Sequence, residues 1–251
     1  MHRFFCAQIC LDEKTVTISD PQEIRHLKTV LHLKPHQQIQ IFDDKGHEAV
    51  GTILSIKHDQ VEVRKDYVLP QKILRKTKIV LSCAIPKKAK FEFIIEKCTE
   101  LGVDEIIPLI TQRTIVSLSP DQVGKKFLRY QTVILNAVKQ SGRANIPSLQ
   151  PVGRFGEVIQ SFEKRKNFNG FIPSLCEKTG KRQNLAEVLS ALRCPKEVSF
   201  FIGPEGDFTG EEMELAVKAG LVPVSLGSTV LKVDTAAITV VALANLFFNH
   251  G

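Results

Sequence analysis

Two stretches of the chain pair glycine with residues that can hold a ligand by its polar edges. The first is Phe200-Phe201-Ile202-Gly203-Pro204-Glu205-Gly206-Asp207-Phe208-Thr209, and the second is Leu226-Gly227-Ser228-Thr229-Val230-Leu231-Lys232-Val233-Asp234-Thr235-Ala236-Ala237. Each reads as an apolar strand that ends in a glycine-bearing loop and gives way to a helix. In an open α/β sheet, the loops at the carboxyl ends of strands are where ligands bind. Gly203 and Gly206 permit backbone conformations and close approaches that a side chain would block, and Pro204 stiffens the bend. Thr209 and Glu212 have capping-box spacing, so a helix opens at Thr209 and runs to Gly220, a left-handed stop. After the second loop, Asp234 or Thr235 can cap another helix. Gly-Pro-Glu-Gly alone reads equally well as an ordinary turn; two such loops together point to one shared pocket.

Loops of this kind need a sheet to carry them, and from Ile79 onward strand and helix patterns alternate, which predicts a mainly parallel sheet with helices on both faces. Strands are expected at Ile79–Ala84, Ile106–Ile110, Phe171–Leu175, Val198–Ile202 and Val222–Leu226. A helix over Lys88–Leu101 places Phe91, Ile94, Ile95, Cys98 and Leu101 on one face, with Gly102 as its stop, and another helix spans Gly124–Gln140. The last helix, Asp234–Asn249, is apolar almost all round and should be buried. Before residue 70 the pattern changes. Short strands at Gln38–Phe42, Glu48–Ile56 and Gln60–Val63 alternate with turn signals at Asp43-Asp44-Lys45-Gly46 and His58-Asp59, beside one helix at about Pro21–Leu31, which reads as a small β-barrel. Pro70 and the basic stretch Lys72–Lys78 form the connector. Two domains follow, 1–72 and 73–251.

Composition narrows the function classes. A chain of 251 residues with 43% hydrophobic content is ample for packed cores, and a net charge of +7 with a sequence pI near 9.1 makes polyanions plausible partners. Basic clusters occur at Lys87, Lys88 and Lys90, at Lys125, Lys126 and Arg129, and at Lys164, Arg165 and Lys166; singly, each reads as a solvated face. The fifteen Phe fall mostly in apolar periodic stretches, so no row of base-stacking platforms is visible. Cys6, Cys10, Cys83, Cys98, Cys176 and Cys194 lack zinc spacing and read as reduced thiols, and the histidines, His26, His32 and His36 included, have no partners that would make a metal site. No Walker loop or Gly-x-Gly-x-x-Gly turn marks a nucleotide hydrolase. The N-terminal apolar patch, interrupted at Gln8 and Asp12, is too short for a secretory signal. Ala236–Phe248 is too short to span a membrane, so a cytoplasmic protein is expected.

The two loops, together with Ile85-Pro86-Lys87, Glu96-Lys97-Cys98-Thr99-Glu100-Leu101-Gly102-Val103-Asp104, Gln140-Ser141-Gly142-Arg143 and His2-Arg3-Phe4-Phe5, resemble SPOUT-class RNA methyltransferases of the RsmE type, which methylate N3 of a uridine in 16S ribosomal RNA. The likeness runs over nearly the whole chain. It implies a SPOUT-type parallel sheet whose closing helix threads a C-terminal trefoil knot, an N-terminal PUA-like RNA-binding β-barrel, a homodimer without metal, and the small ribosomal subunit as partner. The implied cofactor is S-adenosylmethionine, held by the loop after Leu175, by Ile202, Gly203, Pro204, Glu205 and Gly206, and by Leu226, Gly227, Val230, Leu231 and Thr235. Without the motif, Leu226 and Leu231 read equally as core. RNA contacts are expected at Arg3, Arg25, His26, Lys34, Lys87, Lys90 and Arg113, with phosphate and shape dominating and one base extruded into the pocket.

Attack by uracil N3 on a sulfonium methyl requires loss of the imide proton, aided by a base or by a cation beside the flanking carbonyl oxygens. Arg143 is the leading cation, with a phosphate or dimer contact as the competing reading. Lys232 and Asp234 complete the catalytic candidates, although Asp234, like Glu205, reads more readily as a cap or loop anchor. No residue stands out as the base. The usual Leu-Gly-x-Arg-x-Leu-Arg-x-Glu-Thr of the resembled family becomes Leu226-Gly-Ser-Thr229-Val-Leu-Lys232-Val-Asp234-Thr235 here. One arginine is thus lost and another replaced by lysine, which keeps the charge but not the planar fork. The common glycine after Glu-Gly is Asp207.

Overall fold

The computed structural model describes residues 1–70, 77–87, 90–115, 120–165, 168–175 and 182–249, with backbone alone at 120–121. The connector residues 72–76, Lys88 at the expected helix start, Lys166, Cys176 and the loop beyond Leu175 lie outside them. The chain divides into two compact units, Met1–Leu74 with Val138–Ile146, and Arg75–Ala137 with Pro147–Gly251.

In the first unit, strands β1 (Arg3–Phe5), β2 (Thr15–Ile18), β3 (Gln38–Phe42), β4 (Glu48–Ile56) and β5 (Val61–Val68) form one sheet in the order β1-β3-β4-β5-β2. Only β1 and β3 run parallel. Alternation puts Ile39 and Ile41 of β3, Ala49 and Ile53 of β4, and Val61 and Val63 of β5 into one core with Phe4, Val16, Ile18 and Leu27. Helix α1 (Pro21–Arg25) starts at Asp20, whose carboxylate accepts the amides of Gln22 and Glu23, and Pro21 occupies the first turn, where no amide donor is needed. The expected single helix to Leu31 instead widens into a π turn over His26–Val30, closed by the Leu31 amide donating to the His26 carbonyl at 3.0 Å.

The second unit is a parallel sheet. Its elements are β6 (Lys78–Ala84), α2 (Lys90–Glu100), β7 (Glu105–Ile110), α3 (Pro120–Ser141), β8 (Ser148–Leu149), β9 (Gly153–Arg154), α4 (Phe155–Glu163), β10 (Phe168–Pro173), β11 (Gln183–Asn184), α5 (Leu185–Ala191), β12 (Glu197–Ile202), α6 (Gly210–Lys218), β13 (Val222–Ser225) and α7 (Val233–Phe248). The strand order is β11-β13-β10-β12-β6-β7-β8, with β9 also on β7. The end of α3, from Val138, belongs to the first unit. On one face of the sheet, Val80, Ile107, Ile172 and Phe201 pack with Phe155, Ile159 and Phe162 of α4 and Met213 and Ala216 of α6. Helix α7 packs against β6 and β12 and against α2 and α5.

Two expectations need correction. Helix α7 buries Val233, Ala236, Ala237, Val240, Val241 and Ala244, a stripe at helical spacing, while Leu246 and Phe247 stay exposed, so it is buried on one side only. Its N-cap is Lys232, which cannot accept an amide hydrogen; Asp234 sits instead in the first turn, where the helix dipole favours its charge. Helix α6 matches its signature. Thr209 Oγ1 accepts the Glu212 amide at 3.2 Å, Glu212 Oε2 accepts the Thr209 amide at 2.9 Å, and Gly220 at φ +90° turns the chain out of the helix.

Candidate functional site

The carboxyl ends of β10, β12 and β13 and the start of α7 enclose a cavity of about 350 Å3. Pro173 ends β10 and Ser174 and Leu175 follow it; Ile202 ends β12 and Gly203, Pro204, Glu205 and Asp207 follow it. The segment between β13 and α7 adds Leu226, Gly227, Thr229, Val230, Leu231 and Lys232, while Pro86, Lys90 and Arg182 also reach the wall. Nine residues expected at the cofactor (Leu175, Ile202, Gly203, Pro204, Glu205, Leu226, Gly227, Val230 and Leu231) therefore share one cavity, and Gly206 and Thr235 lie off its lining.

Sterics explain Gly203. Its φ is not positive, but a Cβ there would stand 3.0 Å from the buried Phe208 ring, closer than packed atoms normally sit. Left-handed backbone occurs instead at Asp207, with φ +60°. The Asp207 amide donates to the Pro204 carbonyl at 2.9 Å, closing a tight turn. Its Oδ2 accepts Ser174 Oγ at 2.9 Å and the Leu175 amide at 2.7 Å, and Oδ1 accepts the Phe208 amide at 2.8 Å. Arg182 donates to the Ser174 carbonyl at 2.8 Å. On the other side, Arg113 donates to the Gly206 carbonyl at 2.7 Å, and the Gln112 amide donates to Glu212 Oε1 at 2.8 Å. Glu205 accepts the Lys87 amide at 3.2 Å.

Among the described residues, three cations line the cavity: Lys90, Arg182 and Lys232. Lys90 Nζ lies 3.9 Å from Asp234 Oδ2. Behind the wall, Cys83 stands opposite Ile202 in the β6–β12 ladder and is fully buried. Burial pushes its thiol well up, and Cys98, Asp234 and Glu205 push the same way, so it is no nucleophile.

Arg143 does not line the cavity. It is buried and belongs to the first unit, where its carbonyl accepts from Arg3 at 2.5 Å. Arg3, expected to contact RNA, is buried: its guanidinium also donates to the Val138 carbonyl at 2.8 Å and to Glu48 at 2.7 Å and lies 4.0 Å over the Phe42 ring. Its Nε is buried without a hydrogen-bond partner among the described residues. Arg25 and Lys34 are exposed in the first unit, with His26 half-buried beside Phe4; Lys87, Lys90 and Arg113 are exposed in the second. The sequence reading missed Ser174 and Arg182. Arg182 stands in a polar run without periodicity, and no local signal points to it. Among the described residues no cluster of His, Cys, Asp or Glu could hold a metal ion, and no helix is long and apolar enough to cross a membrane.

The RNA methyltransferase domain family matches residues 74–245, and the RNA methyltransferase PUA domain family matches residues 18–66. A ribosomal RNA small subunit methyltransferase E from Synechocystis sp. is 30% identical, with 97% of this chain and 77% of the relative covered. Among solved structures, a Legionella pneumophila protein with bound cofactor S-adenosylmethionine superposes with a TM-score of 0.86 at 29% identity, over 97% of this chain and 96% of that one. A Neisseria gonorrhoeae ribosomal RNA small subunit methyltransferase E bound to S-adenosylmethionine gives 0.85 at 26% identity, covering 99% and 98%.

Proposed function

Since the chain belongs to the RNA methyltransferase family, with a PUA domain preceding the methyltransferase domain, we propose that it methylates N3 of a uridine in 16S ribosomal RNA with S-adenosylmethionine as methyl donor. The observation that carries this reading is the cavity at the ends of β10, β12 and β13, which draws together most of the residues that the resemblance assigns to the cofactor.

The lining suits that molecule. A volume of about 350 Å3 falls within the range of small-molecule sites. Ile202, Leu226 and Leu231 offer apolar surface to a purine, the loop backbones offer hydrogen-bonding edges, and Glu205 with Arg182 supplies charge for an amino-acid tail bearing both ammonium and carboxylate. When bound, the cofactor supplies an electrophilic methyl on a sulfonium. The chain's own part is to exclude water from the apolar wall, to orient the base and to stabilise the anion left as N3 loses its proton. Lys232 at the rim takes the electrostatic role for which Arg143 was the leading candidate, and Asp234 steadies Lys90. The exposed cations Arg25, Lys34, Lys87 and Arg113 serve phosphate contacts.

The reading extends to organisation. Residues 1–72 are the RNA-binding domain and 73–251 the methyltransferase domain, apart from Val138–Ile146, which packs with the first unit; the stretch through α7 forms the trefoil knot, and the uncovered Leu246 and Phe247 of α7 favour a second copy of this chain as partner. A small-subunit substrate and a cytoplasmic location complete it. The test is transfer of labelled methyl from S-adenosylmethionine to undermethylated small subunits, with naked 16S RNA and tRNA in parallel and nucleoside analysis of the product. We expect 3-methyluridine from the ribosomal substrate; label in tRNA alone, or none despite cofactor binding, would overturn the assignment.

A further inference from the structure

We infer that Asp207 is a positioning residue, a latch that holds Ser174 and Leu175, just past the end of β10, against the loop after β12 and so keeps that part of the cavity wall formed before any ligand enters. Three observations converge on it. Asp207 holds a left-handed conformation, φ +60°, which an L-residue adopts only against the strain of its Cβ and which glycine adopts freely. The side chain that imposes this strain makes contacts glycine cannot. One carboxylate oxygen receives both Ser174 Oγ and the Leu175 amide, across 33 and 32 residues of sequence. Those partners are themselves cavity wall, as is Asp207.

The left-handed turn is what aims the carboxylate. Closing the Pro204–Asp207 turn presents the Asp207 side chain toward β10, while Oδ1 is occupied by the Phe208 amide and fixes the rotamer. Charge-assisted bonds to a backbone amide and a hydroxyl are the stronger kind of hydrogen bond. Breaking them loosens the Ser174–Leu175 wall, to which Arg182 also bonds through the Ser174 carbonyl. A cavity that is already formed spares the ligand the cost of ordering its wall, so the latch acts on affinity rather than on fold stability.

This rests on the cofactor reading above, and the experiment separates the two. Hydrogen exchange of the Leu175 amide is followed in the protein alone for wild type, Asp207→Gly and Asp207→Asn, and S-adenosylmethionine affinity and Tm are then measured for the same three. Glycine relieves the left-handed strain and removes the latch; asparagine tolerates the conformation and keeps one acceptor. For Asp207→Gly the expected result is Leu175 exchange and cofactor Kd each raised about tenfold with Tm unchanged or higher, and for Asp207→Asn both values within about threefold of wild type. Unchanged Leu175 exchange in Asp207→Gly would overturn the latch. Equal loss of affinity in both variants would overturn it too, since the carboxylate charge would then be touching the ligand directly. Wild type without measurable cofactor affinity would overturn the cofactor reading, while the exchange comparison would still decide the latch.

Discussion

The two glycine-bearing loops that wall the cavity are held in different ways. The loop after β12 is braced on every side: Arg113 grips the Gly206 carbonyl, Asp207 reaches across to β10, Glu205 receives the Lys87 amide, and the Phe208 ring is buried against Gly203. The segment after β13 has little of this. Its hydrogen bonds among the described residues include the exchange between Ser225 Oγ and Gly227 at 3.1 and 3.3 Å and, where it enters α7, the Ala236 amide donating to the Lys232 carbonyl at 2.8 Å, and Val230 is 72% exposed. One wall is therefore set in advance, and the other has few restraints to lose when it adapts to a ligand.

Breaking the braced wall should have the largest effect. Gly203→Val drives a branched side chain into the Phe208 ring, an overpacking cost of about 1–3 kcal/mol, and is expected to abolish calorimetric S-adenosylmethionine binding while the circular dichroism of the first unit's strands persists. Retained wild-type affinity would mean that this wall is not the cofactor's. Lys232→Ala, at the junction of the adaptable segment and α7, should lower turnover about a hundredfold and leave cofactor affinity within about threefold, the signature of a group acting on the transition state.

Packing behind the braced wall should appear as a pH dependence. Cys83 and Cys98 are fully buried and burial raises both thiols, so the folded chain keeps protons that the unfolded chain releases. Their contribution is complete below the ordinary thiol range and declines as pH rises through it, by about 1.4 kcal/mol per pH unit per thiol. Urea midpoints between pH 8 and 10 should fall less steeply in the Cys83→Ser, Cys98→Ser double variant. Smaller still is the contrast between the walls themselves. Arg113→Ala removes the grip on Gly206 and should weaken the cofactor about fivefold, whereas Val230→Ala on the loose segment should change it by less than about twofold. Equal effects from these two would erase the distinction between the walls.

Legibility in the sequence follows the same division. Local rules announced the capping box at Thr209, the stop at Gly220 and the bounds of β3 and β4, because each depends on residues within a few positions of one another. Helix α4 is equally legible, with Phe155, Val158, Ile159 and Phe162 at helical spacing. Strand β1 was not readable: three residues carry no period, and its place comes from parallel pairing with β3 far along the chain. Within the site, motif resemblance gathered the cavity's loops; elsewhere, the burial of Arg3 against Phe42 and Glu48 could not be read from its charge. Asp207 was visible as an unusual residue where glycine is common. Its partners were not, since pairing across more than thirty residues is a property of the sheet and not of the loop.

The membership of Val138–Ile146 in the first unit has a consequence for how this protein can be divided or recombined. The chain passes between units near residues 74, 137 and 146, so no single cut yields two complete pieces. A fragment beginning at residue 75 would carry Val138 and Lys139 without Arg3 and Glu23, which bond them in the intact chain. Exchange of the N-terminal module between related proteins therefore has to move two separate stretches together, or remake the contacts of the second, and inheritance of the pair as one block is the simpler course.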